Sequence, residues 1–457
     1  MSSRRAQIIR LRASIVGIEP EIWRTIDVDD SMSLVDLHRV LQVAFGWHDA
    51  HLHSFSDHDP SASANGIPRI GRRPRLWVDA DSLGEFEGAD GEDAADEAGA
   101  SAREAMSFDG PLWYVYDFGD GWVHRLDVID RDGVRAGEAP ASIVAGERRS
   151  PFEDSGGEDG YRELTGILAD ARHPEHRSAR GWVRSAAGPW GVTDPEDADL
   201  AGARAELAEV FADASWPEGS LIEEFAAGLH APLRSNLRRH LRRTGVLDDA
   251  PLPDGVVADS VAPYRWLVER IGTEGVTLTK AGWMPPVVVR EGMEQLGWRD
   301  DWIGEANRED LTYPMRHLRA SAERLRLVRK VTGRLVLTTR TGRALGRPGA
   351  LADEIAHGLL RQRMTEGQRV AGTIFVLGLA DGTITSRRDA ERTVVETLTA
   401  LGYVDREGRD IDVRSFSGLV DPVLDVLRTL GLWRVNGRSR DVPPSAGVRA
   451  IARRALR

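Results

Sequence analysis

The feature that most constrains the fold is a pair of apolar-aromatic runs, Trp113 to Phe118 and Trp122 to Ile129, separated only by Gly119-Asp120-Gly121. Runs rich in Trp, Tyr, Val and Ile suit a pleated, half-buried surface, and a Gly-Asp-Gly link supplies the tight turn that joins antiparallel neighbours. The spacing predicts a β-hairpin. A second hairpin is predicted from Ala6 to Gly17 and Ile22 to Val28, with Glu19-Pro20-Glu21 turning the chain between them. Shorter strand candidates are Leu52 to Ser56 and Leu76 to Val78. After Ser33, whose spacing to Asp36 resembles a helix-capping start, Leu34, Leu37, Leu41, Ala44 and Phe45 share one helical face until Gly46 ends it. Strands interrupted by a few helices, without regular βαβ alternation, predict an α+β domain, assigned to residues 5–200.

The chain changes character beyond that point. Residues 201–258 read as a helical basic segment and linker: Arg234, Arg238, Arg239, His240 and Arg242 lie close together, and Asp248-Asp-Ala-Pro-Leu-Pro-Asp-Gly255 has linker composition. Further on, Leu296-Gly297-Trp298 corresponds to Leu401-Gly402-Tyr403 and Gly342 to Gly447, both 105 residues apart. Around each match the pattern predicts a helix ending in Leu-Gly-aromatic, a second helix, a short apolar-basic strand, a turn and a return strand. Helices followed by a small hairpin outline a winged helix-turn-helix. The carboxy-terminal half is therefore expected to be mostly helical, with two winged-helix-like repeats at 259–350 and 351–457.

Composition narrows the chemistry. None of the 457 residues is Cys, which removes disulfides, thiolate metal sites and cysteine nucleophiles, so any metal must sit on His, Asp and Glu. No run approaches the roughly 20 apolar residues of a membrane span, and the reading is a cytoplasmic protein without a membrane partner. The net charge of −12 argues against an all-over nucleic-acid coat. Much of it comes from ten acidic residues against one basic residue between Asp79 and Glu104, which read as a solvated acidic loop.

Four separated segments carry a family resemblance: Pro20-Glu-Ile-Trp23-Arg24; Leu37-His38 through Phe45-Gly46-Trp47 to His51-Leu52-His53-Ser-Phe55; Tyr114-Val-Tyr116-Asp117-Phe118-Gly119-Asp120 with Trp122 and His124; and Pro151-Phe-Glu153-Asp154-Ser155-Gly156-Gly157 leading to Tyr161. In this order they resemble the plasmid pRiA4b ORF-3-like family, also described as transposon-passenger TnpR-like proteins. The resemblance implies a compact α+β domain found near mobile elements, with no assigned activity and no catalytic residues to carry over. Ser155 stands where many relatives have Cys, which speaks against a thiol-based role.

The residues themselves suggest a pocket. His51 and His53, two apart on a strand, are expected to point to the same side. Asp117, Asp120 and His124 flank the tight turn, and Glu153 with Asp154 opens a Gly-rich loop. Imidazoles and carboxylates together suit a divalent metal, which lowers the pKa of bound water for hydrolysis. Alternatively, Asp117 and Asp120 close the turn through backbone hydrogen bonds, Trp23, Trp47 and Trp122 fill the core, and the histidines donate to buried carbonyls. A phosphate cradle at Gly156-Gly157 is rejected, because no Lys-Ser or Lys-Thr follows and Glu153, Asp154, Glu158 and Asp159 repel phosphate. Serine-recombinase chemistry is likewise excluded, since no arginine cluster surrounds Ser14, Ser31 or Ser33.

For the carboxy-terminal half, the second helix of each repeat, with Arg316, His317 and Arg319 or Asp425 and Arg428, is expected to face a DNA groove. Arg329, Lys330, Arg334 and Arg340 would meet phosphates, and Arg234, Arg238, Arg239 and Arg242 would extend that surface. The alternative is scaffold or protein contact. The leading expectation is a non-enzymatic accessory or regulatory protein associated with mobile elements, without a cofactor, binding DNA or a protein partner through its carboxy-terminal half. The competing one is a metal-dependent hydrolase using His51, His53, Asp117, Asp120, His124, Glu153 and Asp154.

Overall fold

The computed structural model describes residues 7–61, 74–83, 93–108, 110–133, 139–211, 220–229, 231–246, 248, 254–300, 302–405, 407–435, 438–439 and 442–457. The chain forms two compact units, Met1–Ser215 with His230–Arg243, and Trp216–Leu229 with Thr244–Arg457. The basic helix Ala231–Thr244 thus belongs almost wholly to the first unit, whereas the segments it was expected to extend belong to the second.

The first unit is built on an eight-stranded sheet. Its strands are β1 (Ile8–Ile15), β2 (Trp23–Asp29), β3 (His53–Ser56), β4 (Arg75–Val78), β5 (Asp93–Asp96), β6 (Leu112–Tyr116), β7 (Trp122–Gly133) and β8 (Ala141–Glu147). They run in the order β5-β4-β3-β6-β7-β1-β2-β8, antiparallel throughout except for the parallel pair β4 and β5. Both hairpins form. Ile8 pairs with Asp29 and Ser14 with Trp23 in one; Tyr116 pairs with Trp122 across the Gly-Asp-Gly turn in the other.

Alternation along β1 buries Ile9, Leu11, Ala13 and Ile15, the face that meets the helix Leu34–Phe45 in a single core with Ile26, Val28, Phe55, Tyr114, Trp122 and Leu126. That helix starts where Ser33 accepts a hydrogen bond from the Asp36 amide, and it stops at Gly46, whose left-handed backbone (φ 76°) a β-carbon would strain. The helix Leu200–Phe211 closes over it and over β8.

The acidic segment departs from the solvated loop its charges suggest. Residues 84–92 lie outside the described ones, but Asp93–Asp96 adds an edge strand, and the next residue, Glu97, is buried at 4% exposure. A buried carboxylate needs a partner, and His53 provides it.

The second unit is mostly helical. At its centre the helix Glu366–Asp381 is buried continuously from Ala371 to Ala380 and packs against the helices Arg387–Ala400, Phe416–Thr429 and Ala446–Leu456. Both predicted segments show helix, helix, hairpin in that order. The first has Pro286–Gln295, Tyr313–Arg324 and the strands β10 (Val328–Val331) and β11 (Arg334–Leu337), and β11 also pairs with a short strand β9 (Val276–Thr277) that the sequence pattern did not signal. The other has Arg387–Ala400, Phe416–Thr429 and the strands β12 (Arg434–Val435) and β13 (Arg438–Ser439). Among the described residues no helix is long and apolar enough to cross a membrane.

Candidate metal centre

Three distant segments meet at the end of β6. The backbone at Asp117 is left-handed (φ 57°), and its carboxylate serves two directions at once. Oδ1 accepts from the amides of Gly119 at 2.9 Å and Asp120 at 3.3 Å, which closes the turn. Oδ2 lies 3.6 Å from Nε2 of His51. The turn is pinned to the loop after β8, because Oδ2 of Asp120 accepts from the Gly156 amide at 3.1 Å. Gly157 packs so closely on that turn that a β-carbon there would fall 2.8 Å from the Asp120 carbonyl oxygen.

The pinned loop brings in Glu153. Its Oε1 accepts from the His48 amide at 2.8 Å and from the Tyr116 hydroxyl at 3.1 Å, and that hydroxyl accepts in turn from the Ala50 amide at 3.0 Å. Its Oε2 is buried, has no hydrogen-bond partner among the described residues, and lies 3.5 Å from His51 Nε2. Burial pushes the Glu153 carboxyl up, against the His48 and Tyr116 hydrogen bonds that favour its charged form. Burial also pushes the Tyr116 hydroxyl up, so it stays a donor to Glu153. At the mouth, Oδ1 of the exposed Asp154 lies 3.7 Å from the same imidazole nitrogen.

The distances decide what this arrangement can do. A separation of 3.5–3.7 Å is too long for a sound hydrogen bond, so His51 satisfies none of the three carboxylates directly. Ligands about 2.1 Å from a shared tetrahedral ion stand about 3.4 Å from one another. One donor atom each from His51, Asp117 and Glu153 lie within 4.8 Å of one another. An imidazole with two or three carboxylates is a donor set for zinc, manganese or iron.

The other sequence-derived candidates lie elsewhere. His51 precedes β3, so strand alternation does not align it with His53, which points into the interior. There His53 bonds Glu97 at 2.9 Å and stacks on His38 at 3.6 Å between ring centroids. His38 itself joins Tyr114 and Asp49, both at 2.9 Å. His124 is fully buried on β7, where Nδ1 meets the Trp122 carbonyl at 3.1 Å and Nε2 accepts from the Trp47 indole at 3.2 Å. Asp120 supports the turn and does not reach His51. Of the seven pocket residues, His51, Asp117, Glu153 and Asp154 come together; His53, Asp120 and His124 do not. Tyr116 and His48, which orient Glu153, carry no such signal in the sequence beyond their place within the family segments.

The basic candidates are largely occupied. Arg239 is buried, paired with Glu206 and bonded to the Val43 carbonyl, and Arg242 pairs with Glu209. Arg234 and Arg238 are half-buried. Arg319 is buried against Glu309 and the Gly282 carbonyl, with Glu323 beside it, while Asp425 takes hydrogen bonds from His317 and Arg324. The helices Tyr313–Arg324 and Phe416–Thr429 therefore turn His317, Arg324 and Asp425 toward each other. Arg316 and Arg334 are exposed, with bonds to the carbonyls of Asp310 and Glu274, and Arg329 and Lys330 are exposed on β10.

The elements that build this centre coincide with a known sequence family. The model of the plasmid pRiA4b ORF-3-like protein family matches residues 7–201. The uncharacterised protein y4hQ of Sinorhizobium fredii is 32% identical over 185 residues, covering 39% of this chain and 82% of its own length. The crystal structure of a protein of unknown function from Methanosarcina mazei Go1 is 28% identical, covering 42% of this chain and 94% of that one, with a TM-score of 0.33. On the family match and the identity to the Sinorhizobium relative, the chain belongs to the plasmid pRiA4b ORF-3-like family.

Proposed function

We propose that the first unit is a divalent-metal-binding domain, with the ion held by His51, Asp117 and Glu153 and approached from the side of Asp154. The observation that carries this reading is that His51 Nε2 stands 3.5–3.7 Å from three carboxylate oxygens and hydrogen-bonds none of them. Both carboxylate ligands are held from behind: Asp117 by the turn amides, Glu153 by His48 and Tyr116. Three protein ligands leave room for water or substrate on the ion, which supports Lewis-acid chemistry of the hydrolytic class. Metal analysis of protein purified without chelators, followed by calorimetric titration with Zn²⁺ and Mn²⁺, tests it. Stoichiometric binding that His51→Ala removes is the expected result; no binding by the folded wild type ends the proposal.

A second reading belongs to the other unit: an accessory or regulatory protein of mobile elements that meets DNA or a protein through winged-helix-like repeats. The helix, helix, hairpin order and the exposed Arg329 and Lys330 on β10 favour it. A mobility-shift assay at low and high salt tests the DNA version, which fails if no duplex is bound at low salt.

A further inference from the structure

Arg24, the last residue of the Pro20 to Arg24 motif, takes no part in the His51 cluster, yet it is 1% exposed. Its Nε donates to the Ala44 carbonyl at 2.7 Å, and its Nη1 donates to the Trp23 and Glu147 carbonyls at 2.8 and 2.9 Å. Arg149 is held in the same way, with Nε on the Val192 carbonyl, Nη1 on the Ser150 carbonyl and its guanidinium 3.5 Å from the centre of the Phe152 ring. Among the described residues neither guanidinium forms a hydrogen bond with a carboxylate, and neither uses Nη2. Burial, the largest influence on each, pushes both down to about 10, so both stay charged at neutral pH.

Both line one cleft of the first unit, together with Arg239 and Asn236, enclosing ≈ 410 Å³ with the solvent at its mouth included. Charge around it is uneven. Arg239 is matched by Glu206. Asp199, on the wall, lies 3.4 Å from Arg243 and its charge also acts on Arg24 and Arg239, and Asp197 is exposed at the edge. The carbonyls of Val43 and Ala44, in the last turn of the helix Leu34–Phe45, offset part of the remaining positive charge but do not neutralise it. Glycines let the guanidiniums in: a β-carbon on Gly146 would lie 2.6 Å from Arg24 Cδ, and one on Gly46 would lie 3.1 Å from Arg239 Nη1.

We propose that this cleft is a binding site for a phosphate-sized dianion, held by Arg24 and Arg149 with Arg239 behind them. With Nε and Nη1 engaged on carbonyls, each guanidinium keeps the N–H donors of Nη2 for phosphate oxygens, and a buried cation that hydrogen-bonds no carboxylate favours an anionic ligand. The site is separate from the His51 cluster, whose carboxylates would repel such a ligand, and it does not depend on metal there.

The test is calorimetric titration of the full chain, stripped of metal and desalted, with inorganic phosphate at an ionic strength held constant with sodium chloride. One saturable site is expected, weakened at least tenfold by Arg149→Gln and also by Asn236→Asp, which adds a negative charge to the wall. Circular dichroism checks the fold of each variant, and Asn236→Asp decides alone if Arg149→Gln does not fold. The proposal is overturned if the folded wild type shows no saturable phosphate binding, or if a folded variant binds phosphate as the wild type does.

Discussion

His51 Nε2 and Glu153 Oε2 face each other at 3.5 Å, the carboxylate oxygen buried and without a hydrogen bond among the described residues, while the other oxygen of Glu153 is fixed by the His48 amide and the Tyr116 hydroxyl. One half of this side chain is structural and the other half is aimed. That division lets a conservative substitution separate the two roles.

Glu153→Gln keeps an acceptor for His48 and removes the charge beside His51. Zn²⁺ or Mn²⁺ affinity is expected to fall by at least the roughly 10- to 100-fold that loss of a supporting partner costs. Glu97→Gln, which touches His53 instead, is expected to leave affinity unchanged. Equal effects of the two changes in calorimetry would remove Glu153 from the centre.

His124 gives the first unit a definite pH response. Burial first, with the charge of Arg24 adding to it, holds its imidazole down to about 4, against an ordinary 6.5. The unfolded chain therefore takes up a proton between these values while the folded chain does not. Stability contributed by the neutral ring is complete above pH 6.5 and declines as pH falls toward 4, by about 3 kcal/mol in all at about 1.4 kcal/mol per unit. Denaturation curves at pH 7, 5.5 and 4.5 should show a shallower decline for His124→Gln than for the wild type. Parallel declines would contradict the assignment.

Gly157 and Gly121 both have positive φ, 68° and 69°, but a β-carbon on Gly157 would meet the Asp120 carbonyl whereas one on Gly121 would meet nothing within 4 Å. Gly121→Ala is expected to cost about 1 kcal/mol of backbone strain. Gly157→Ala should cost more and also weaken metal binding, because it pushes the Glu153 loop away from the turn that holds Asp117. Thermal melts of both variants, with metal titrations, provide the comparison.

Arg239 and Lys330 divide the basic residues by role. Removing Arg239 leaves the largely buried Glu206 with the Ser235 hydroxyl but without its charge partner, and Arg239→Ala should destabilise the first unit by roughly 3 kcal/mol. Lys330→Ala, on an exposed face of β10, should change stability by less than about 0.5 kcal/mol. If the hairpin meets phosphates, the same change lowers the salt dependence of duplex binding by about one counterion. A reversed pattern, with Arg239 tolerant and Lys330 critical for folding, would contradict these packing assignments.

Much of the fold was legible in residue order. The Gly119-Asp120-Gly121 link between two aromatic runs, the Ser33 cap and the Gly46 stop are local signals, and local chemistry alone specifies a turn, a helix start and a helix end. The sequence likewise determined that any metal centre here would use His, Asp and Glu, and that the motif segments form one domain. It could not tell which carboxylates and imidazoles would meet. His51 and His53 are two residues apart yet belong to different clusters, because the strand begins only at His53. Glu97, in a run that reads as solvated loop, is buried because β5 pairs with β4 and brings it under His53. Arg239 looks like a free cation but ends against Glu206. In each case the deciding partner lies more than 30 residues away in the chain, and burial makes that partner obligatory; only the tertiary structure brings the two together.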